Sequence, residues 1–261
     1  FTANADTLLN GSYNYVAWNW KAGTSVSGNT TGSGTAKTYT GSVNTDNKFS
    51  IIKYTGNGTA NHTIPHNLGV VPEFFAIKSL EDGENWAVYH KGTHASPETM
   101  MLKLDSTSAN ADVDSFLNDV APTSSVINLG VYSRVNENDE TFIAYCWASV
   151  DGYSKVGSYT GNGNNDGTFI YLGFRPAFIL YKNITDAGTN WIIQDNKRDT
   201  YNPNNDLLYP NTSDDEEEDF NPDFLSNGLK WRTTSSWANS GGKSYIYIAF
   251  AETPFKYSNA K

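Results

Sequence analysis

Cysteine is nearly absent from this sequence, Cys146 being the only one in 261 residues. That excludes an intramolecular disulfide framework and every zinc or iron–sulfur site built from several thiolates. Positive charge is scarce as well. Eighteen Lys and Arg stand against 28 Asp and Glu, for a formal net charge of −10. Such a surface repels phosphate backbones and has little counterion-release drive, so nucleic acid is not an expected partner. No apolar run approaches the ~18 residues of a membrane span, so membrane insertion is not expected either. The opening Phe1-Thr2-Ala3-Asn4 has neither an initiator Met nor a signal-peptide pattern, as expected of a fragment or a processed product. Helix signals are sparse. Only Asp112 to Val120 and Asp223 to Ser226 read as a helical turn or two, the first with an Asp cap.

What is abundant is aromatic and turn-forming. Aromatics make up 14% of the chain and charged residues only 18%, a balance typical of a folded, turn-rich β protein. The chain also resembles itself. Tyr54-Thr55-Gly56-Asn57-Gly58 recurs 105 residues on as Tyr159-Thr160-Gly161-Asn162-Gly163. Asn85-Trp86 returns as Asn190-Trp191, and Phe142-Ile143-Ala144-Tyr145 as Tyr247-Ile248-Ala249-Phe250, at the same spacing. Apolar runs such as Phe74 to Ile77 and Ala177 to Tyr181 are short, bounded by turn residues, and continuous enough for strands buried on both faces. Trp86 to Tyr89 and Trp191 to Gln194 read as second strands after a Gly turn, and Ser244 to Ala251 as a core strand.

The expected fold is therefore all-β, two tandem β-sandwich (jelly-roll-like) units related by an internal repeat of about 105 residues. Residues 49–153 and 154–261 are the two units. Residues 23–48, almost without apolar side chains, read as a polar linker. Tyr15-Val16-Ala17-Trp18 echoes the last strand of both units, so residues 1–22 read as the last strand of a preceding unit or as a strand of the first.

Candidate chemistry is thin. Asp214, Asp215, Glu216, Glu217, Glu218 and Asp219 are six consecutive carboxylates that offer oxygen ligands to Ca²⁺ or Mg²⁺, although like charges in a row more often extend into water. His62 and His66 have helical ligand spacing, but Pro65 argues against a helix there, and the second unit has Gly167 and Tyr171 instead. His90 and His94 read as surface or hairpin-end residues without a companion acid or thiolate. Cys146, mid-strand, reads as a small core residue. No nucleophile-elbow pattern is present, and among Asp186, Asp195, Asp206 and Glu252 nothing singles out an acid paired with a differently tuned neighbour. The expectation is a non-enzyme without cofactors. Tryptophans are the positive signal, since flat rings stack on sugars. Trp86 and Trp191, at equivalent strand starts, read as packing. Trp231 and Trp237 lie in a polar stretch of the second unit and are the glycan-contact candidates, with Tyr209 and Asn211 as neighbours.

Further residues carry a family likeness. Tyr15-Val16-Ala17-Trp18-Asn19-Trp20-Lys21-Ala22, the Tyr-Thr-Gly-Asn-Gly turns, Gly152 to Tyr159, Gly173-Phe174-Arg175-Pro176-Ala177-Phe178 and Ala251 to Tyr257 together resemble a module found in virion proteins of marine bacteriophages. The resemblance spans nearly the whole chain and implies a tail-fibre, tailspike or other surface-appendage module, located on the virion surface. It implies other virion proteins as partners, a homo-oligomer such as a trimer, and a host-surface glycan as the contact. It supplies no catalytic residues. The acidic run is not part of the likeness. A capsid-decorating or lattice-forming protein without ligand, and a glycan-degrading tailspike, are the alternative readings.

Overall fold

The computed structural model of the protein describes residues 15–253. The first unit runs through β1 (Thr24–Asn29), β2 (Thr31–Gly32), β3 (Thr38–Asn44), β4 (Phe49–Thr55), β5 (His62–Pro65), β6 (Phe74–Ser79), β7 (Ala87–His90), β8 (Met100–Lys103), β9 (Ala111–Asp112), β10 (Val126–Leu129) and β11 (Thr141–Trp147). One-turn helices α1 (Asp114–Leu117) and α2 (Ser133–Asn136) flank β10. The second unit follows as β12 (Ser154–Thr160), β13 (Phe169–Tyr171), β14 (Pro176–Asn183), β15 (Ile192–Asp195), β16 (Asp206–Leu208), β17 (Glu217–Glu218), β18 (Asp223–Leu225), β19 (Gly228–Lys230) and β20 (Ser244–Ala251). The protein is an all-β sandwich structure of antiparallel sheets.

Each unit packs a large sheet on a small one. In the first, the order β1-β3-β4-β11-β6-β7-β8-β9 faces β10-β5-β2; in the second, β12-β20-β14-β15-β16-β17 faces β13-β19-β18. Side chains on a strand point alternately to its two faces, and both faces of the large sheets are apolar. Phe75 and Ile77 of β6 enter the first sandwich core, and Ile179 and Tyr181 of β14 enter the second. Their neighbours Phe74 and Ala76, and Phe178, point the other way and meet in a third apolar layer together with Val88, Leu102, Val156, Ile246, Ile248 and Phe250. The two large sheets thus stack on each other, giving four layers. Polar bonds cross the same junction: Trp191 Nε1 donates to Lys103 O at 2.8 Å, Gly188 N to Thr107 O at 2.9 Å, and His90 Nε2 lies 3.0 Å from Tyr247 O.

Corresponding turns of the two units make the same bonds. The Tyr54 hydroxyl donates to Val135 O, and the Tyr159 hydroxyl to Ala238 O, each at 2.6 Å. Gly58 N donates to Asn136 O and Gly163 N to Asn239 O, each at 2.8 Å. Glycine is required where it stands: a Cβ on Gly56 would lie 2.3 Å from Glu137 O, and one on Gly161 2.3 Å from Ser240 O.

Three expectations are corrected. Residues 23–48 are not a linker, because β1, β2 and β3 lie within them and add to both sheets of the first unit. Their inward residues are Val26, Thr30, Tyr39 and Val43, and most of the remaining Ser, Thr and Gly lie on the outer face, so the segment lacks an apolar run while its strands still pair. Tyr15 to Trp18 form no strand; Trp18 and Trp20 instead enter the layer between the sandwiches, with Trp20 5.7 Å from Phe178 and 5.1 Å from Phe250. Residues 1–14 lie outside the described part. Asp223 to Ser226 does not turn into helix but supplies β18, because Phe224 fills the second core.

Candidate functional site

A polar cleft of about 440 Å³ lies at the start of β12, where the two units meet. Lys155 and Val156 of β12, Tyr171 of β13, the turn residues Ser149 and Asp151, and Lys91 after β7 contribute to its lining. Glu73 organises one wall. Its carboxylate pairs with Lys91 Nζ at 2.7 Å and accepts from Ser149 N and Ser149 Oγ, while Ser149 Oγ in turn accepts from Val156 N at 2.9 Å. On the other wall the Lys155 ammonium donates to Tyr171 O at 2.7 Å and sits 5.3 Å from the Tyr171 ring centre. Tyr171 is nonetheless 60% exposed and Phe169, two residues back on β13, is 42% exposed. Fixed ammonium groups, a hydroxyl and an open aromatic edge suit contact with a polar ligand or an extended backbone.

The residues expected to touch glycan are elsewhere. Trp231 is fully buried, its ring 4.9 Å from Tyr181 and 6.1 Å from Tyr159 in the second core. Trp237 packs on the same core against Tyr209 and Phe220. Tyr209 is buried, donates its hydroxyl to Glu217 Oε2 at 2.9 Å, and has that hydroxyl pushed above its ordinary pKa by burial and by the Glu217 carboxylate. Asn211 fastens the start of β15, accepting from Trp191 N at 2.9 Å and donating to Asn190 Oδ1 at 2.8 Å. None of the four forms an open platform.

The acidic run does not converge on an ion. Among the described residues no group of three or more His, Cys, Asp or Glu is placed to hold a metal. Glu217 and Glu218 form the edge strand β17, which sends successive side chains to opposite faces, and Glu216 pairs with Arg198 at 2.8 Å. Asp214, Asp215 and Asp219 are exposed beside them.

The titratable groups within the fold are structural. His62, His66 and His90 are buried, and burial lowers all three pKa values, His90 to about 4. Cys146 lies in the first core with its thiol pushed up to about 12 by burial, which keeps it protonated and unreactive. Lys182 is buried without a carboxylate, and desolvation lowers its pKa to about 8; its three protons go to Asn183 O, Thr189 O and Thr189 Oγ1, leaving none to act on a substrate. Asp195 is bonded by Arg198 and Trp18, Asp186 pairs with Lys243 at 2.7 Å, and Glu252 with Arg175 at 3.3 Å.

Asn136 and Asn239 escaped the sequence reading. Asn136 Oδ1 accepts from Asn57 N at 2.9 Å while its amide donates to Thr59 O and Gly130 O, both at 2.9 Å. Asn239 Oδ1 accepts from Asn162 N at 3.1 Å, and its amide donates to Asn164 O at 2.9 Å and Thr233 O at 2.7 Å. Each pins its Gly-Asn-Gly turn from about 77 residues away, where the only signal is an Asn shortly before the last strand of its unit. Asn239→Ala leaves several buried backbone groups unpaired, so urea unfolding is expected to show a loss of about 3 kcal/mol. A loss under about 0.5 kcal/mol, the range of ordinary surface changes, would contradict that role.

These features define a double β-sandwich whose ionisable interior is structural. The chain belongs to a family described as a domain of unknown function (DUF7483), whose model matches residues 1–254 and so runs through both sandwiches. No curated protein and no solved structure matches the chain.

Proposed function

We propose that the chain is a non-enzymatic structural module of a phage virion surface appendage, built from two copies of one sandwich and serving as a stiff spacer within that appendage. The observation that carries this reading is the apolar layer between the large sheets. Trp18, Trp20, Trp86, Trp147 and Trp191 all pack there, so most of the tryptophans weld the two sandwiches into one body instead of facing a ligand. A body whose units share a buried face resists bending better than two units joined by a loop, as a fibre or lattice element must. The likeness of Tyr15 to Ala22 and of both Tyr-Thr-Gly-Asn-Gly turns to marine phage virion modules supports the location.

A second reading, contact with a host-surface glycan, is favoured by Tyr171 and Phe169, which are open on one edge beside Lys155. Mass spectrometry of purified particles, followed by antibody labelling in electron micrographs, is expected to place the chain on a tail or capsid appendage. Recovery of the chain only from the host-cell fraction would overturn the virion reading. For the second reading, a glycan-array signal that disappears in Tyr171→Ala is the expected result, and an unchanged signal would sink it.

A further inference from the structure

We propose that the protein associates with itself head to tail, the β1 and β2 edges of one copy pairing with the β12 and β13 edges of the next. The inference starts from a difference between the two units. β4 and β12 carry the corresponding tyrosines Tyr54 and Tyr159, and β5 and β13 each follow a Gly-Asn-Gly turn. In the first unit both strands are covered on their outer side. β3 runs along β4 from Tyr39 opposite Tyr54 to Asn44 opposite Phe49, and β2 lies on β5 with the Thr31 and Thr63 hydroxyls 2.6 Å apart. In the second unit, β11 passes to β12 through residues 148–153 alone, and among the described residues there is no counterpart of residues 24–44. Among the described residues, β13 pairs only with β19, and β12 pairs with β20, its outer side carrying the turn's bridge from Val150 to Ser154 and the bonds of Val156 N to Ser149 Oγ and of Thr168 Oγ1 to Thr160 O. Among the described residues, two sheet edges therefore stand open side by side, β12 from Gly157 to Tyr159 and β13 along its length, with Phe169 and Tyr171 exposed on the smaller.

An open edge is a template for strand addition unless it is guarded. The far edge of the same large sheet is guarded, since β17 is Glu217-Glu218 within six consecutive carboxylates. The β12 edge has only Lys155, whose ammonium is turned onto Tyr171 O. The first unit offers the matching pair of edges. β1 (Thr24-Ser25-Val26-Ser27-Gly28-Asn29) ends the large sheet and β2 ends the small one, and β1 contains no charge and no proline. The six residues of β1 are long enough to cover the uncapped part of β12 beyond Val156, and the pairing continues the order β4-β3-β1 into the sheet of the next copy. The occupant is thus a second copy of this chain. Because the two joined surfaces differ, the contact is heterologous and gives a closed ring or an open filament. The proposal names a partner for the structural reading above and shares its setting, but the two fail separately.

The test is sedimentation velocity on the full chain and on two double variants. Ser25→Lys with Ser27→Lys guards β1, and Phe169→Lys with Tyr171→Lys guards the β12–β13 edge. The wild type is expected to form concentration-dependent multiples of 28.7 kDa. Each variant alone is expected to be monomeric with an unchanged unfolding temperature, and the two mixed in equal amounts should form a dimer and nothing larger, since each keeps one complementary edge. Should either variant unfold, Ser27→Pro and Thr160→Lys supply a milder pair. A wild type that stays monomeric at its highest soluble concentration would overturn the proposal, a terminal segment of the same chain then being the occupant. Persistence of the β1-guarded variant as a dimer would overturn it too, because the open edge would then pair with itself. Neither result touches the location of the chain on a particle.

Discussion

Trp231→Ala is expected to lower the unfolding free energy by about 4 kcal/mol, within the range for deleting a buried large aromatic. The ring is wholly excluded from solvent and wedged against Tyr181 and Tyr159, both of them in strands of the large sheet of the second unit. Neither neighbour can collapse into the vacated space, because Tyr159 is fixed through its hydroxyl to Ala238 O and Tyr181 through its hydroxyl to Gln194 Oε1. A cavity therefore remains, and its cost adds to the lost transfer energy. For a chain of this size the unfolding temperature should fall by roughly 8–16 °C, at about 2–4 °C per kcal/mol. Calorimetry checks this directly. A surface platform for sugar would behave in the opposite way, losing ligand and keeping its melting temperature. Trp237→Ala should cost less, because Trp237 packs on the core from its rim and is only partly buried.

The different fates of these two tryptophans and of Phe74 or Phe178 show where sequence reading works. Phe74 to Ile77, Ala177 to Tyr181 and Tyr245 to Ala251 are aromatic or aliphatic at every position, and a run of that kind has no choice but to bury both faces. The third apolar layer is implicit in that pattern. Trp231 sits between Lys230 and Arg232 in a polar stretch, so its local surroundings suggest a surface, and only the distant Tyr159 and Tyr181 make it core. β1 and β3 fail for the converse reason. They are held by ladder bonds, β1 to β3 and β3 to β4, more than by side-chain burial, and backbone pairing leaves little mark on composition. The partly open edge of the second unit is harder still, since among the described residues no further strand runs along β12. It becomes legible only when the two units are laid side by side and residues 24–44 are found to have no counterpart.

Acidification is expected to loosen the contact between the sandwiches before it unfolds either core by other means. His90 lies at that contact, its Nε2 3.0 Å from Tyr247 O of the second unit and its Nδ1 accepting from Gly92 N at 2.9 Å. This pattern requires the neutral ring with its proton on Nε2, and protonation of Nδ1 removes the Gly92 bond and leaves a buried charge. Burial is the main cause that brings the His90 pKa to about 4; Lys91 lowers it further, and Glu73 and the Tyr247 carbonyl oppose. Because the folded pKa is below the ~6.5 of an unfolded His, the unfolded state binds more protons between these values, and stability falls as pH drops through that window. On His90 alone the loss is about 2 kcal/mol at pH 5 and roughly 3 kcal/mol at pH 4, relative to pH 8. His62 and His66, also lowered by burial, add in the same direction from inside the first unit. Urea midpoints measured from pH 8 down to pH 4 should therefore decline most steeply below 6.5, and His90→Gln should flatten part of that decline. Equal midpoints for the wild type at pH 8 and pH 5 would show that the three rings titrate alike in both states, which their burial forbids.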